Sequence, residues 1–111
     1  MGLRCTYGVK ALTRRVIAGF ADETTRDVYD GLDTKAARRI PQSIWSVARR
    51  KLDMIEAAHE IADLRVPPGN RLEVLKGELK GCHSIRINDQ FRIVFRWADG
   101  AAAGVSINDY H

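Results

Sequence analysis

The chain has 111 residues, 45% of them hydrophobic and 29% charged, and its 18 Lys and Arg against 14 Asp and Glu give a net charge of +4. That balance fits one globular domain, excludes a disordered chain, and suits an anionic partner such as nucleic acid. No run of 18 apolar residues exists to span a membrane, Met1 to Tyr7 lack the apolar core of a secretory signal, and Cys5 and Cys82 are too few for a disulfide framework or a zinc site, so no membrane partner and a cytoplasmic location are expected.

Residues 1–15 carry the least pattern and read as an N-terminal extension, with the domain proper at 16–111. Val16 to Phe20 is short and apolar and predicts a first strand. Asp22 precedes Glu23-Thr24-Thr25-Arg26, a helix start with an acidic first turn. Ala21, Thr25, Val28, Leu32, Ala36 and Ile40 keep roughly helical spacing, which predicts a helix over 22–40, with Gly31 and Asp33 as interruptions and Pro41 as its end. Residues 42–63 read as the clearest helix. Ile44, Ala48, Leu52, Ile55, Ala58 and Ala62 form its apolar stripe, flanked by Val47, Lys51 and Met54. Pro67-Pro68-Gly69-Asn70 is a hard stop.

Beyond Asn70 the period changes to two. Arg71 to Val74 alternates, Gly77 to Gly81 is a charged turn, and Cys82 to Asn88 holds Ile85 and Ile87. Asn88-Asp89 reads as a tight turn into Phe91–Trp97, and Asp99-Gly100 turns the chain into a last strand with Val105 and Ile107. The predicted class is α+β: an N-terminal strand and two helices packed on one face of a mostly antiparallel sheet.

Because the helices cover the apolar face, Leu72, Val74, Ile85, Ile87, Phe91, Ile93, Phe95, Trp97, Val105 and Ile107 are expected to point inward. The opposite face then gathers Arg71, Glu73, Arg86, Arg92, Arg96 and Tyr110, with Lys76 and Lys80 on the adjacent turn. Guanidinium groups grip phosphate oxygens and an aromatic ring stacks on an exposed base, so this face suits single-stranded RNA. An uncovered antiparallel sheet is also simply polar on its outside, and parity alone leaves both readings open. His83 falls at an inward position and reads as a packed histidine, His59 as a surface residue, and Trp45 and Trp97 as core or interface. Lys35, Arg38, Arg39, Arg49, Arg50 and Lys51 form a second basic stretch with no acid between its ends. It reads either as a solvated helix face or as a contact for ribosomal RNA phosphates.

Three segments together carry a resemblance: Val66-Pro-Pro-Gly-Asn-Arg-Leu-Glu-Val-Leu-Lys-Gly77, Ser84-Ile-Arg-Ile-Asn-Asp-Gln-Phe-Arg-Ile-Val-Phe-Arg-Trp97, and the terminal Asn108-Asp-Tyr-His111. In this order they resemble HigB-type toxins of the RelE/ParE superfamily, over roughly residues 16–111. The resemblance implies the toxin of a type II toxin–antitoxin system: an endoribonuclease that cuts mRNA in the ribosomal A site without metal or other cofactor. It implies a HigA-like helix-turn-helix antitoxin as partner, through which alone operator DNA would be bound. Position by position it assigns Lys76, Arg92, Tyr110 and His111 to the catalytic set. Glu73 stands where some relatives carry a catalytic histidine, which leaves one acid–base role open. Arg71, Lys80, Arg86 and Arg96 are expected to position RNA. The superfamily also includes ParE-like inhibitors of DNA gyrase, and an inactive antitoxin-binding subunit is a further alternative.

Overall fold

The computed structural model describes residues 17–109, so the first sixteen residues, Tyr110 and His111 lie outside the account that follows. Helix α1 (Glu23–Asp30) starts where expected: the Asp22 carboxylate accepts from the Thr25 N–H at 2.7 Å. It ends ten residues earlier than the apolar spacing predicts. Gly31 takes the left-handed conformation (φ 77°) and its N–H returns to the last helical carbonyls, which closes the helix. Only a single 3₁₀ turn, Ala37–Arg39, follows before Pro41.

Helix α2 (Trp45–Ala57) buries Ala48, Leu52 and Ile55 as the stripe predicts. It also stops short of the expected end at residue 63. Ala58 is extended, and Glu60 and Asp63 form a reciprocal capping box that starts a separate 3₁₀ turn, Ile61–Arg65. The backbone N–H groups of His59 and Glu60 hold the Asp63 carboxyl below the ordinary carboxylate range. Ala62, on the predicted stripe, is exposed.

Four antiparallel strands follow: β1 (Glu73–Val74), β2 (Cys82–Arg86), β3 (Phe91–Ala98) and β4 (Ala101–Asp109), hydrogen-bonded in that order. The expected N-terminal strand is present as two bridges rather than a ladder. Ile17 and Phe20 pair parallel to Ala102 and Val105 on the outer side of β4. β4 changes phase at Gly104 (φ 60°), where the β3–β4 register shifts. The bulge lets Ala102 and Val105, three residues apart, both face the helices.

The core lies between the helices and the inner face of the sheet. Val28, Leu52, Ile55, Leu64, Ile85, Ile93, Phe95 and Val105 are almost entirely enclosed. Each such side chain contributes about 1.5–3 kcal/mol relative to an exposed position. Thr25 crosses this layer, its hydroxyl oxygen accepting from the Ile107 N–H at 2.9 Å, which ties α1 to β4.

Two expectations about the sheet are corrected. Val74 has the predicted direction but is 67% exposed, because β1 is a two-residue edge strand. It borders an open groove of about 290 Å³ with Ile61, Ala62, Arg65, Leu72 and His83 instead of entering the core. The outer face is also not polar throughout: Leu75, Cys82 and Val94 form a small buried cluster. No helix among the described residues is long and apolar enough to cross a membrane.

Candidate active site

The strand register divides the basic residues of the outer face into two groups. Arg86 lies opposite Arg92, and Arg92 lies opposite Asn108. Arg71, Glu73, Arg86, Asn88, Asp89 and Arg92 line an open cleft of about 410 Å³ at this end of the sheet. Arg96 lies opposite Cys82 at the other end. Leu75 donates its N–H to the Cys82 carbonyl, so Lys76 begins the turn that Lys80 ends, five residues along β2 from the level of Arg86. At strand rise that is roughly 17 Å. Lys76, Lys80 and Arg96 are exposed and do not line the cleft.

Arg92 is the best-held of these cations. It is 8% exposed. Its Nε donates to Ser84 Oγ at 2.8 Å and its Nη2 to the Arg71 carbonyl at 2.6 Å. Glu73 Oε1 stands 3.6 Å from the same Nη2, with its carboxylate more than half exposed. A planar guanidinium fits this set because its donors diverge at fixed angles. The fork is locked to the sheet on one side and faces the cleft on the other.

Arg71 owes its position to its backbone. It adopts the left-handed conformation (φ 47°, ψ 57°), which costs a non-glycine residue on the order of 1–2 kcal/mol. The preceding Asn70 is wholly buried and its amide Nδ2 donates to the Leu64 carbonyl at 3.1 Å, which fixes the turn. Arg86 reaches the cleft from β2 and pairs with Asp89 on the β2–β3 hairpin. That hairpin is shaped by Asn88, whose Oδ1 accepts from the N–H groups of Gln90 and Phe91.

The sequence reading missed Asn70, Ser84, Asn88 and Asp89 as parts of this site. Ser84 had the right parity and Asn70 the signal of a turn asparagine, but neither reveals the buried hydrogen bond it makes. The Tyr110 and His111 assignments fall outside the described residues. The last described residue is Asp109, whose Oδ2 accepts from Gln90 Nε2 at 3.0 Å.

The second basic stretch does not form one surface. Lys35, Arg39 and Arg50 are exposed, but Arg39 lines a cleft that also holds Asp22 and Asp109. Arg38 is bonded through Nε and Nη2 to Asp33, and this pairing holds the Asp33 carboxyl below the ordinary range. Arg49 is half-buried, its Nη1 packed 3.5 Å from where a side chain on Gly31 would begin. Lys51 departs furthest from the expectation of a surface phosphate contact. It lies on the buried side of α2 with its Nζ donating to Asn70 Oδ1. Burial, then the nearby Arg50 and Arg86, push its ammonium below the ordinary lysine range.

His83 packs as expected, its ring stacked on Phe95 with centroids 6.1 Å apart. Its Nδ1 is buried without a hydrogen-bond partner among the described residues, and burial lowers the imidazole's basicity. His59 is exposed, and Trp45 and Trp97 pack against the core. Among the described residues, no three His, Cys, Asp or Glu side chains converge as a metal-binding group.

A family model described as the RelE-like toxin of type II toxin–antitoxin system HigB matches residues 18–111. The chain is 44% identical over 91 residues to toxin HigB-1 of Vibrio cholerae, covering 82% of this chain and 94% of that one. It is 40% identical over 78 residues to an uncharacterized Haemophilus influenzae protein, covering 70% of this chain and 75% of the other. Among solved structures, a chain of the YoeB–YefM complex from Staphylococcus aureus superposes with a TM-score of 0.55 at 20% identity, covering 88% of this chain and 98% of that one. The fold is thus shared at low identity, and the sequence matches settle the family: the chain belongs to the HigB-like toxins, RelE-like toxins of type II toxin–antitoxin systems.

Proposed function

We propose that this toxin is a ribosome-dependent endoribonuclease that cuts mRNA in the A site by metal-independent attack of a ribose 2′-hydroxyl on the adjacent phosphate. The observation that carries this reading is the cleft that Arg92, fixed by Ser84 and the Arg71 carbonyl, lines together with Glu73, Arg71 and Arg86. In-line attack concentrates negative charge on the non-bridging phosphate oxygens. A pre-oriented guanidinium stabilises that charge without reorganising.

The remaining roles are assigned on the same reading. Arg71 and Arg86 hold flanking phosphate, and Arg86 must exchange its Asp89 partner for RNA to do so. Glu73 is the described carboxylate nearest Arg92, so it is assigned either proton removal from the 2′-hydroxyl or the positioning of Arg92. Tyr110 and His111, one and two residues beyond β4, complete the set: His111 in proton transfer to the leaving 5′-oxygen, Tyr110 in stacking on a base. Lys76, with Lys80 and Arg96, is assigned to hold RNA phosphates beyond the scissile one. Lys35, Arg39 and Arg50 are the described basic residues of the second stretch left to meet ribosomal RNA. A HigA-like helix-turn-helix antitoxin is the proposed partner, with operator DNA bound only through it. Action on the ribosome makes the cytoplasm the working compartment.

The deciding experiment is cleavage mapping in a purified translation system, with wild-type toxin and Arg92→Ala. Wild type is expected to break mRNA at the A-site codon, and the variant to leave it intact. Intact mRNA with wild-type toxin, accompanied by trapped gyrase–DNA complexes, would overturn the nuclease reading in favour of a topoisomerase inhibitor.

A further inference from the structure

Lys51 and Asn70 form a buried polar pair directly behind the cleft, and no role in RNA contact is open to either. Asn70 is wholly enclosed and Lys51 is 9% exposed. A buried ammonium is costly unless something requires it. The Lys51 Nζ donates to Asn70 Oδ1, which fixes which end of the amide is donor and which is acceptor. With its oxygen engaged, Asn70 directs Nδ2 at the carbonyls of Leu64 (3.1 Å) and Val66 (3.4 Å). These bonds fasten both ends of the 64–70 turn. The next residue is Arg71, in its left-handed conformation, and its carbonyl receives Arg92 Nη2 at 2.6 Å.

We propose that Lys51 and Asn70 are positioning residues for Arg92: the pair clamps the turn that presents the Arg71 carbonyl, and that carbonyl aims one arm of the Arg92 guanidinium. This assignment rests on the reading of Arg92 as the phosphate clamp. It gives Lys51 a function other than the surface contact that its charge suggests. It also accounts for a charge retained on the buried side of α2, where a methionine would pack at lower cost.

The test uses the full chain, purified from its antitoxin complex. Two readouts are taken: the Arg92 Nε–H resonance of the toxin without RNA, and single-turnover mRNA cleavage on ribosomes. Lys51→Met and Asn70→Ala are each expected to shift or broaden the Arg92 resonance. Each is expected to slow cleavage about tenfold, the effect of one positioning hydrogen bond. The double variant should be no slower than the worse single variant, because both act through the same turn. Lys51→Arg, which keeps a donor at similar reach, should restore the resonance and most of the rate. Leu52→Ala, a neighbouring core change, should lower the melting temperature while leaving the Arg92 resonance in place. Lys51→Met with wild-type resonance and rate would overturn the proposal, as would Lys51→Arg no better than Lys51→Met. If Lys51→Met does not fold, Asn70→Ala against Lys51→Arg carries the same comparison. Failure of the nuclease reading itself is separate: wild-type toxin would then leave mRNA intact on the ribosome, while the resonance measurements would still report on the clamp.

Discussion

Replacing Arg92 with lysine keeps the charge and removes the fork. In the native chain, Nε satisfies Ser84 Oγ at 2.8 Å while Nη2 satisfies the Arg71 carbonyl at 2.6 Å and faces Glu73 at 3.6 Å. A lysine ammonium presents its donors from one point rather than from a planar fork, and the expected result is that the bond to buried Ser84 Oγ loses its charged donor. That loss costs about 1–3 kcal/mol, and a domain of this size loses on the order of 5–15 °C in melting temperature for it. Catalysis should suffer more than stability. Removing a pre-oriented donor to developing negative charge costs about 10²–10³ in rate. Thermal melting of the antitoxin-free toxin and single-turnover cleavage on programmed ribosomes measure the two effects separately. An Arg92→Lys protein that melts within a degree of wild type and cuts at the wild-type rate would refute the reasoning, because it would show that charge without geometry suffices.

Thr25→Val removes the acceptor of the Ile107 N–H inside the core at nearly constant volume, and should cost about 1–3 kcal/mol in chemical denaturation. Leu52→Ala should cost about 2–5 kcal/mol by the same assay, since Leu52 is fully enclosed between α2 and the sheet. His83 gives a pH signature: burial lowers its pKa from the ordinary 6.5, so below that value the unfolded chain binds more protons than the native one. Stability should therefore fall as pH drops from 6.5 toward the folded-state pKa, and His83→Phe should flatten that slope in pH-dependent melts. For the basic stretch, Arg50→Ala should reduce the salt dependence of ribosome binding by roughly 0.7–0.9 in the log–log slope per lost phosphate contact. Arg38→Ala should change it little, because Arg38 is already held by Asp33.

Periodicity made the sheet legible. Phe91, Ile93 and Phe95 alternate inward as their spacing dictates, and the outward parity of Arg71, Glu73, Arg86 and Arg92 brings them to one face. Periodicity could not mark where that face divides. The division depends on register, and register is set by the turn lengths at Gly77–Gly81 and Asn88–Gln90 rather than by alternation within a strand. Helix lengths were overestimated for a related reason. Apolar spacing continues through Gly31 and Ala58, but the backbone turns away at both because local hydrogen bonds to the caps compete with the next helical bond. Lys51 was misread because charge outweighed position. It sits three residues after Ala48 and four before Ile55, on the buried side of α2, and its partner Asn70 lies nineteen residues away. The family resemblance reached Lys76 and Arg92 but is silent on Asn70 and Ser84, which hold Arg92 and its neighbours in place without lining the cleft.

The N-terminal residues Ile17 and Phe20 find their partners at Ala102 and Val105, 85 residues further along in each case. β4 is thus flanked by the earliest described segment on one side and β3 on the other, and it is the last described strand to leave the peptidyl transferase centre. Pairings this distant in sequence form late, because a long loop must close before they gain any contact energy. A nascent toxin lacking its final strand has neither the seam that anchors its start nor one wall of its core. A product truncated before β4 should therefore be inert in a cleavage assay.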